Sequence, residues 1–186
     1  MGNNMLISVA VLALLGLFVL SAHNVMSNNA KLSGQSEHSL TALSLAQSLL
    51  DEMKSKAFDQ HTVNPLTIVL SSSSFTPAAN FGPDSLEAIT CPDHSDSSQQ
   101  YSSATEFDDL DDYRHYVRVV NTPRARGYVV RVDSIYYVNA DDPQQFSNAQ
   151  TYSKRVDISV TCPAISLNKL GSEDDLPIRL SYAITY

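Results

Sequence analysis

The chain is 186 residues long and 43% apolar, it has no tryptophan, and its 12 basic and 20 acidic residues give a net charge of -8. That length and composition suit one ordinary domain plus an appendage, with a modest hydrophobic core. An acidic body repels phosphate backbones, so the composition argues against nucleic acid as a partner. Such a body also repels its own copies unless a stronger attraction holds them together.

The amino-terminal segment contains an uncharged apolar run, MLISVAVLALLGLFVLSA, from Met5 to Ala22. Its length is about that of a helix that crosses the hydrocarbon core of a bilayer. A cleaved secretory peptide would need a basic residue ahead of the run and a small-x-small cleavage site, whereas MGNN precedes the run and Leu20 and Ala22 make a poor site. A plain membrane anchor would need a positive cytoplasmic flank, and no base precedes Met5.

A third interpretation is a helix that waits in the membrane and is later buried among copies of itself. A helix that is apolar nearly all round is stable beside others like it, because each withdraws apolar surface from water. We therefore expect residues 1–36 to form a membrane and assembly segment. Within it, residues 23–36 are rich in Asn, Ser and Gly, which favours a break, a kink or an extended stretch. The side chains predicted to make the assembly contacts are Met5, Leu6, Ile7, Val9, Val11, Leu12, Leu14, Leu15, Leu17, Phe18 and Leu20.

A second helical pattern occupies residues 37–58. Leu43, Ala46, Leu50 and Met53 recur at spacings of three and four, which places them on one face of a helix. We expect this face to pack against a sheet.

The rest of the chain has the composition of strands and loops. Segments rich in Val, Ile and Tyr predict strands at Tyr116 to Asn121, Gly127 to Val138, Lys154 to Thr161 and Ile178 to Tyr186. A further short strand is predicted near Leu66 to Leu70, inside a loop-rich connection. A long helix followed by an antiparallel sheet is an α+β arrangement, with residues 37–186 as its globular head.

This order of features resembles the type IV pilin and pseudopilin superfamily. The segment LAQSLLDEMKSKAFD at 45–59 is similar to the end of the long helix in pilin-like proteins, and FDDLDDYRHY at 107–116 resembles the acidic turn before their first sheet strand. The segments GYVVRVDSIYYV and YSKRVDISVTC are similar to the strands that follow. Within that superfamily the chain would be a divergent member, since it lacks the usual basic leader and has Met5 in place of the fifth-position Glu.

The resemblance implies a structural subunit of an extracellular pilus-like filament that polymerises through its apolar helix. The implied partners are copies of the chain itself and, before polymerisation, the inner membrane and its assembly machinery. The implied location is the inner membrane first and the cell-surface filament afterwards. The alternative is a minor pseudopilin or a membrane-anchored component of a secretion or competence apparatus. The sequence has no G-x-S-x-G, H-E-x-x-H or P-loop motif, so we expect no enzymatic activity.

Four acids, Asp108, Asp109, Asp111 and Asp112, fall within five positions. Hard cations such as Ca²⁺ bind several carboxylate oxygens, but the spacing is not that of an EF-hand. We favour the competing interpretation, in which these side chains are solvated or cap backbone amides in a turn while their apolar neighbours point inward.

Cys91 and Cys162 are the only two cysteines. An even count in an exported protein predicts one disulfide, which would stabilise the fold by roughly 4 kcal/mol in the chain-entropy model. Two buried free thiols are the alternative, and they would require a reducing compartment.

Overall fold

A computed structural model of the protein describes residues 2–64, 66–84, 103–123, 125–162 and 177–186, without the side chains of 2–4 and 6. By its internal contacts the chain falls into two compact units, Met1–His38 and Ser39–Tyr186. The first unit is helical throughout its described length, and the second contains the remainder of that helix together with a β-sheet.

The longest element is helix α1, Gly2–Lys54. The predicted break is wrong, because residues 23–36 are helical. Asn, Ser and Gly weaken a helix by at most about 1 kcal/mol each, and no proline interrupts this part of the chain. The helix also ends earlier than the predicted residue 58. Beyond Lys54 the backbone tightens, and the amide of Ala57 donates to the carbonyl of Asp108 at 3.0 Å instead of to the helix.

Four strands form one antiparallel sheet in the order β1-β2-β3-β4. Their bounds are β1 Val117–Val120, β2 Tyr128–Tyr137, β3 Ser153–Thr161 and β4 Ile178–Thr185. The four predicted strands are therefore confirmed to within two residues at each end, and the predicted α+β class is confirmed. The register of β2 against β3 shifts between Val132 and Ser134, which marks a bulge in the longest strand.

The core lies between the carboxyl-terminal part of α1 and one face of the sheet. Its helical members are Ala42, Ala46, Leu49, Leu50 and Met53, and its strand members include Val130, Val132, Val156, Ile158 and Val160. Ala46, Leu50 and Met53 are thus buried, whereas the prediction for Leu43 is wrong, since that side chain is 43% exposed. Ala42 is buried instead, and Leu43, about 100° further round the helix than Ala42, lies at the edge of the buried face.

Short elements connect α1 to the sheet. Helix α2, Gln60–Val63, begins with a capping box in which Asp59 and Thr62 satisfy each other's backbone amides. The strand predicted at Leu66 to Leu70 is wrong, because this segment pairs with none of the described strands. Leu66, Ile68 and Leu70 are exposed, while Val69 packs against the core. Helix α3, Ser103–Glu106, precedes the acidic turn.

Candidate functional site

The apolar run of α1 presents its side chains outward. Uncharged Leu, Val and Ala residues fill the run, and none of the side chains in its most apolar stretch is buried within the chain. Exposed fractions are 73% at Met5, 67% at Leu14 and 71% at Phe18. The same exposure holds for Ile7, Val9, Val11, Leu12, Leu15, Leu17, Val19 and Leu20, while the side chain of Leu6 lies outside the described residues. By length and composition the helix can cross a membrane or serve as a signal segment.

The acidic turn is built by carboxylates that accept backbone amides. Asp109 Oδ1 accepts from the amides of Asp111 and Asp112 at 2.8 and 3.3 Å. Asp112 Oδ2 accepts from the amides of Asp108 and Asp109 at 3.1 and 3.0 Å. The capping interpretation is therefore confirmed, and the apolar neighbours Phe107, Leu110 and Tyr113 are buried as expected. The expectation of a solvated turn is wrong, because Asp109, Asp111 and Asp112 are almost completely buried.

Three of these acids come together as a candidate cation site. Carboxylate oxygens of Asp108, Asp109 and Asp112 lie within 4.8 Å of one another, and Asp108 Oδ1 has no hydrogen-bond partner among the described residues. Asp109 and Asp112 already use one oxygen each on two amides, so their acceptors are partly committed to the turn. Asp111 points elsewhere, toward Lys154. These contacts do not test the alternative of a Ca²⁺ ion at this turn.

Burial changes the protonation of the turn. Loss of hydration, followed by the charges of Asp111 and Asp112, raises the pKa of Asp109 to about 9. At neutral pH Asp109 is thus a carboxylic acid and not a carboxylate. Its Oδ1 still accepts the two amides, because a protonated carboxyl keeps acceptor capacity.

A buried lysine between two carboxylates lies beside this turn. Lys154 Nζ is 3.1 Å from Asp59 Oδ2 and 2.5 Å from Asp111 Oδ1, and it donates to the carbonyl of Phe58 at 2.8 Å. The side chains of Lys154 and Asp59 are fully buried. This cluster was not predicted from the sequence, although one signal was present. Lys154 shares the inward face of β3 with Val156, Ile158 and Val160, because alternate residues of a strand point to the same side.

A second ionic network joins α1 to the sheet. Glu52 Oε2 accepts from Arg118 Nη2 at 3.1 Å, and Oε1 accepts from Ser103 Oγ at 2.6 Å and from Tyr113 Oη at 2.9 Å. Burial, reinforced by the charge of Glu52, raises the pKa of Tyr113, so the phenol stays a donor throughout the physiological range. The network fixes the last turn of α1 against β1 and the acidic turn.

The opposite face of the sheet carries a polar groove of about 610 Å³, lined in part by Arg131, Arg155, Asp157 and Arg179. Asp157 Oδ1 accepts from Arg155 Nε at 3.0 Å and from Ser181 Oγ at 2.5 Å. Partial burial raises the pKa of Asp157. These two hydrogen bonds and a third from Ser134 outweigh that effect, so the pKa is lowered overall. Asp157 is therefore an ionised carboxylate that ties β2, β3 and β4 together.

The structure describes one of the two cysteines. Cys162 is a buried free thiol at the end of β3, and Cys91 lies outside the described residues. The disulfide between them stays a prediction.

No known protein family, curated protein or solved structure matches the chain. The fold and its surfaces alone define its class: an α+β protein with one four-stranded antiparallel sheet in its described residues and an amino-terminal helix that carries an exposed, uncharged apolar segment.

Proposed function

We propose that the protein is a structural subunit of an extracellular type IV pilus-like filament and that it polymerises through the apolar run of α1. One observation carries the proposal: an uncharged helical segment exposes nearly all of its large apolar side chains, from Met5 at 73% to Leu20 at 58%. Such a surface is stable only in lipid or against protein. Before assembly, the lipid of the inner membrane covers this surface. After assembly, the helices of sister subunits cover it.

The energetics favour assembly over repulsion. Relative to exposure in water, burial of apolar surface contributes about 25 cal/mol per Å², so a filament outside the membrane keeps each subunit's run packed among its copies by on the order of ten kcal/mol. The repulsion between bodies with a net charge of -8 is screened over about 8–10 Å of saline solution. A contact that joins different surfaces of successive subunits and does not close into a ring generates a helical polymer.

The protein's role in this proposal is mechanical. The sheet-bearing unit forms the outer surface of the filament, and copies of the chain are its main partners. We expect neither catalysis nor nucleic-acid binding.

The test is electron microscopy of material sheared from cells that express the full chain, with side chains traced in the fibre map. We expect fibres whose central bundle contains the apolar run. A chain that stays a detergent-solubilised monomer, in cells without fibres that contain it, would refute the proposal. Abundance in the sheared fraction separates a major subunit from a minor pseudopilin, which would be present in few copies.

A matched pair of variants sharpens the test. Phe18→Gln places a polar side chain in the apolar run, where Phe18 is 71% exposed, and Phe146→Gln makes the same change at a 55% exposed residue between β2 and β3. We expect the first variant to lose fibres and the second to keep them, with membrane fractionation confirming that both insert. Equal fibre yields from the two variants would contradict assembly through α1.

A further inference from the structure

The cluster around Lys154 brings an amine and two carboxyls together in a dry interior. Lys154 comes from β3, Asp111 from the turn before β1 and Asp59 from the start of α2. The Lys154 and Asp59 side chains are fully buried and the Asp111 side chain is 4% exposed. The amine nitrogen lies 2.5 Å from Asp111 Oδ1 and 3.1 Å from Asp59 Oδ2.

Three aromatic rings also lie close to the amine. The Lys154 nitrogen lies 4.7 Å from the ring centre of Phe58, 4.8 Å from that of Phe81 and 5.3 Å from that of Tyr137. These rings exclude water from the reacting groups. Exclusion of water favours condensation of an amine with a carboxyl and protects the product from hydrolysis.

A buried ion pair is also a costly arrangement. Removing an ammonium and a carboxylate from water costs several kcal/mol per ion, and their attraction returns this only partly. An amide between the same two side chains carries no charge and still offers a donor and an acceptor. The interior around Lys154 therefore favours the neutral, condensed product over the separated charges.

We propose that the Lys154 amine and the Asp111 side-chain carboxyl condense into an intramolecular isopeptide bond. The Nζ–Cγ bond forms, and one C–O bond of Asp111 breaks. Two of the three ammonium protons leave with that oxygen as water, one of them by way of Asp59, and the third stays on the amide nitrogen. The reaction needs no oxidant, cofactor or second substrate, and it does not depend on filament formation.

The surroundings assign different parts to the two acids. Asp59 accepts hydrogen bonds from the Thr76 amide at 2.9 Å and from Tyr137 Oη at 3.3 Å, so its carboxylate is fixed beside the amine as a proton acceptor. Burial raises its pKa, but the charge of Lys154 and bonds from Thr76 and His61 lower the pKa overall, which keeps Asp59 ionised. Asp111 Oδ1 lies 2.5 Å from the amine nitrogen, against 3.1 Å for Asp59 Oδ2, so the Asp111 carboxyl is the one that condenses.

Mass spectrometry of the full-length chain, purified in detergent and then denatured and reduced, tests the proposal. We expect an intact mass lower than that of the sequence by one water molecule. Trypsin combined with a Glu-specific protease separates Asp59 from Asp111, because Glu106 lies between them. We expect a branched product in which residues 107–114 are joined to the peptide containing Lys154, with no cleavage after that lysine. A wild-type chain at its full sequence mass, with cleavage after Lys154, would overturn the proposal.

Variants assign the bond to its atoms. Lys154→Arg keeps the positive charge but lacks the amine, so we expect its full sequence mass, as for Asp111→Ala. Asp111→Asn offers an amide as the leaving group, so its deficit should equal one ammonia molecule instead of one water. A branch that joins Lys154 to Asp59 would overturn the assignment to Asp111. The wild-type peptide map decides the question even where a variant fails to fold.

Discussion

Removal of the Glu52 carboxylate should expose how much the ionic network at the end of α1 contributes to stability. Glu52→Ala deletes an ion pair with Arg118, whose side chain is 5% exposed, and two further hydrogen bonds from Ser103 and Tyr113. Loss of one member of a buried pair costs about 3–5 kcal/mol, chiefly because the other charge stays buried with less compensation. For a chain of this size that corresponds to a fall in Tm of about 10 °C.

The assay is thermal unfolding of the full chain in detergent, followed by near-ultraviolet circular dichroism of its nine tyrosines. Asp51→Ala is the matched control, since Asp51 is the preceding acid on α1 and its exposed carboxylate accepts one hydrogen bond, from Gln47, within the part of the chain that the structure describes. We expect the control to change the free energy of unfolding by less than about 0.5 kcal/mol. Equal Tm values for the two variants would refute the reasoning, because the Glu52 carboxylate would then be as well hydrated as that of Asp51.

Three further predictions concern other parts of the globular unit. Asp109→Asn removes a carboxyl whose pKa rises on folding from 3.8 to about 9. Between those pH values the folded wild type binds a proton that the unfolded chain has lost. The stability of the wild type relative to the variant should therefore decrease as the pH rises from 3.8 to about 9. We expect a decrease of up to about 1.4 kcal/mol per pH unit. Urea unfolding of both proteins at pH 6 and pH 8 measures it, and the same difference in free energy of unfolding at the two pH values would contradict the prediction. In the same assay, Met53→Ala should lower the free energy of unfolding by about 2–5 kcal/mol and Leu43→Ala by less than about 1 kcal/mol. Equal decreases for the two variants would contradict the observed buried face of α1. A thiol reagent applied to the unfolded, unreduced chain should label neither Cys91 nor Cys162, and labelling of both would exclude the disulfide.

The strands could be predicted from the sequence because their signal is local. Runs of Val, Ile and Tyr with partial alternation identify a strand without knowledge of its partners. The face of α1 was harder, since Leu43, Leu45 and Leu49 offer several overlapping apolar stripes of similar width. Which stripe is buried depends on where the sheet lies, and the sequence pattern does not contain that information.

The ionic interior could not be predicted, because its members are far apart along the chain. Asp59 reads as a cap after a helix, Asp111 as one of several acids in a turn, and Lys154 as the polar start of a strand. Each of these descriptions is locally correct. Only the folded topology shows that the three side chains meet.

Lys154 is synthesised long after the two acids that it contacts, since it follows Asp59 by 95 residues and Asp111 by 43. Both acids leave the ribosome before their shared cation has been translated. A nascent chain that stops before β3 cannot close over them, because an unpaired ion in the interior would be too costly. The sheet-bearing unit must therefore mature late and in a single cooperative event, after most of the polypeptide has emerged.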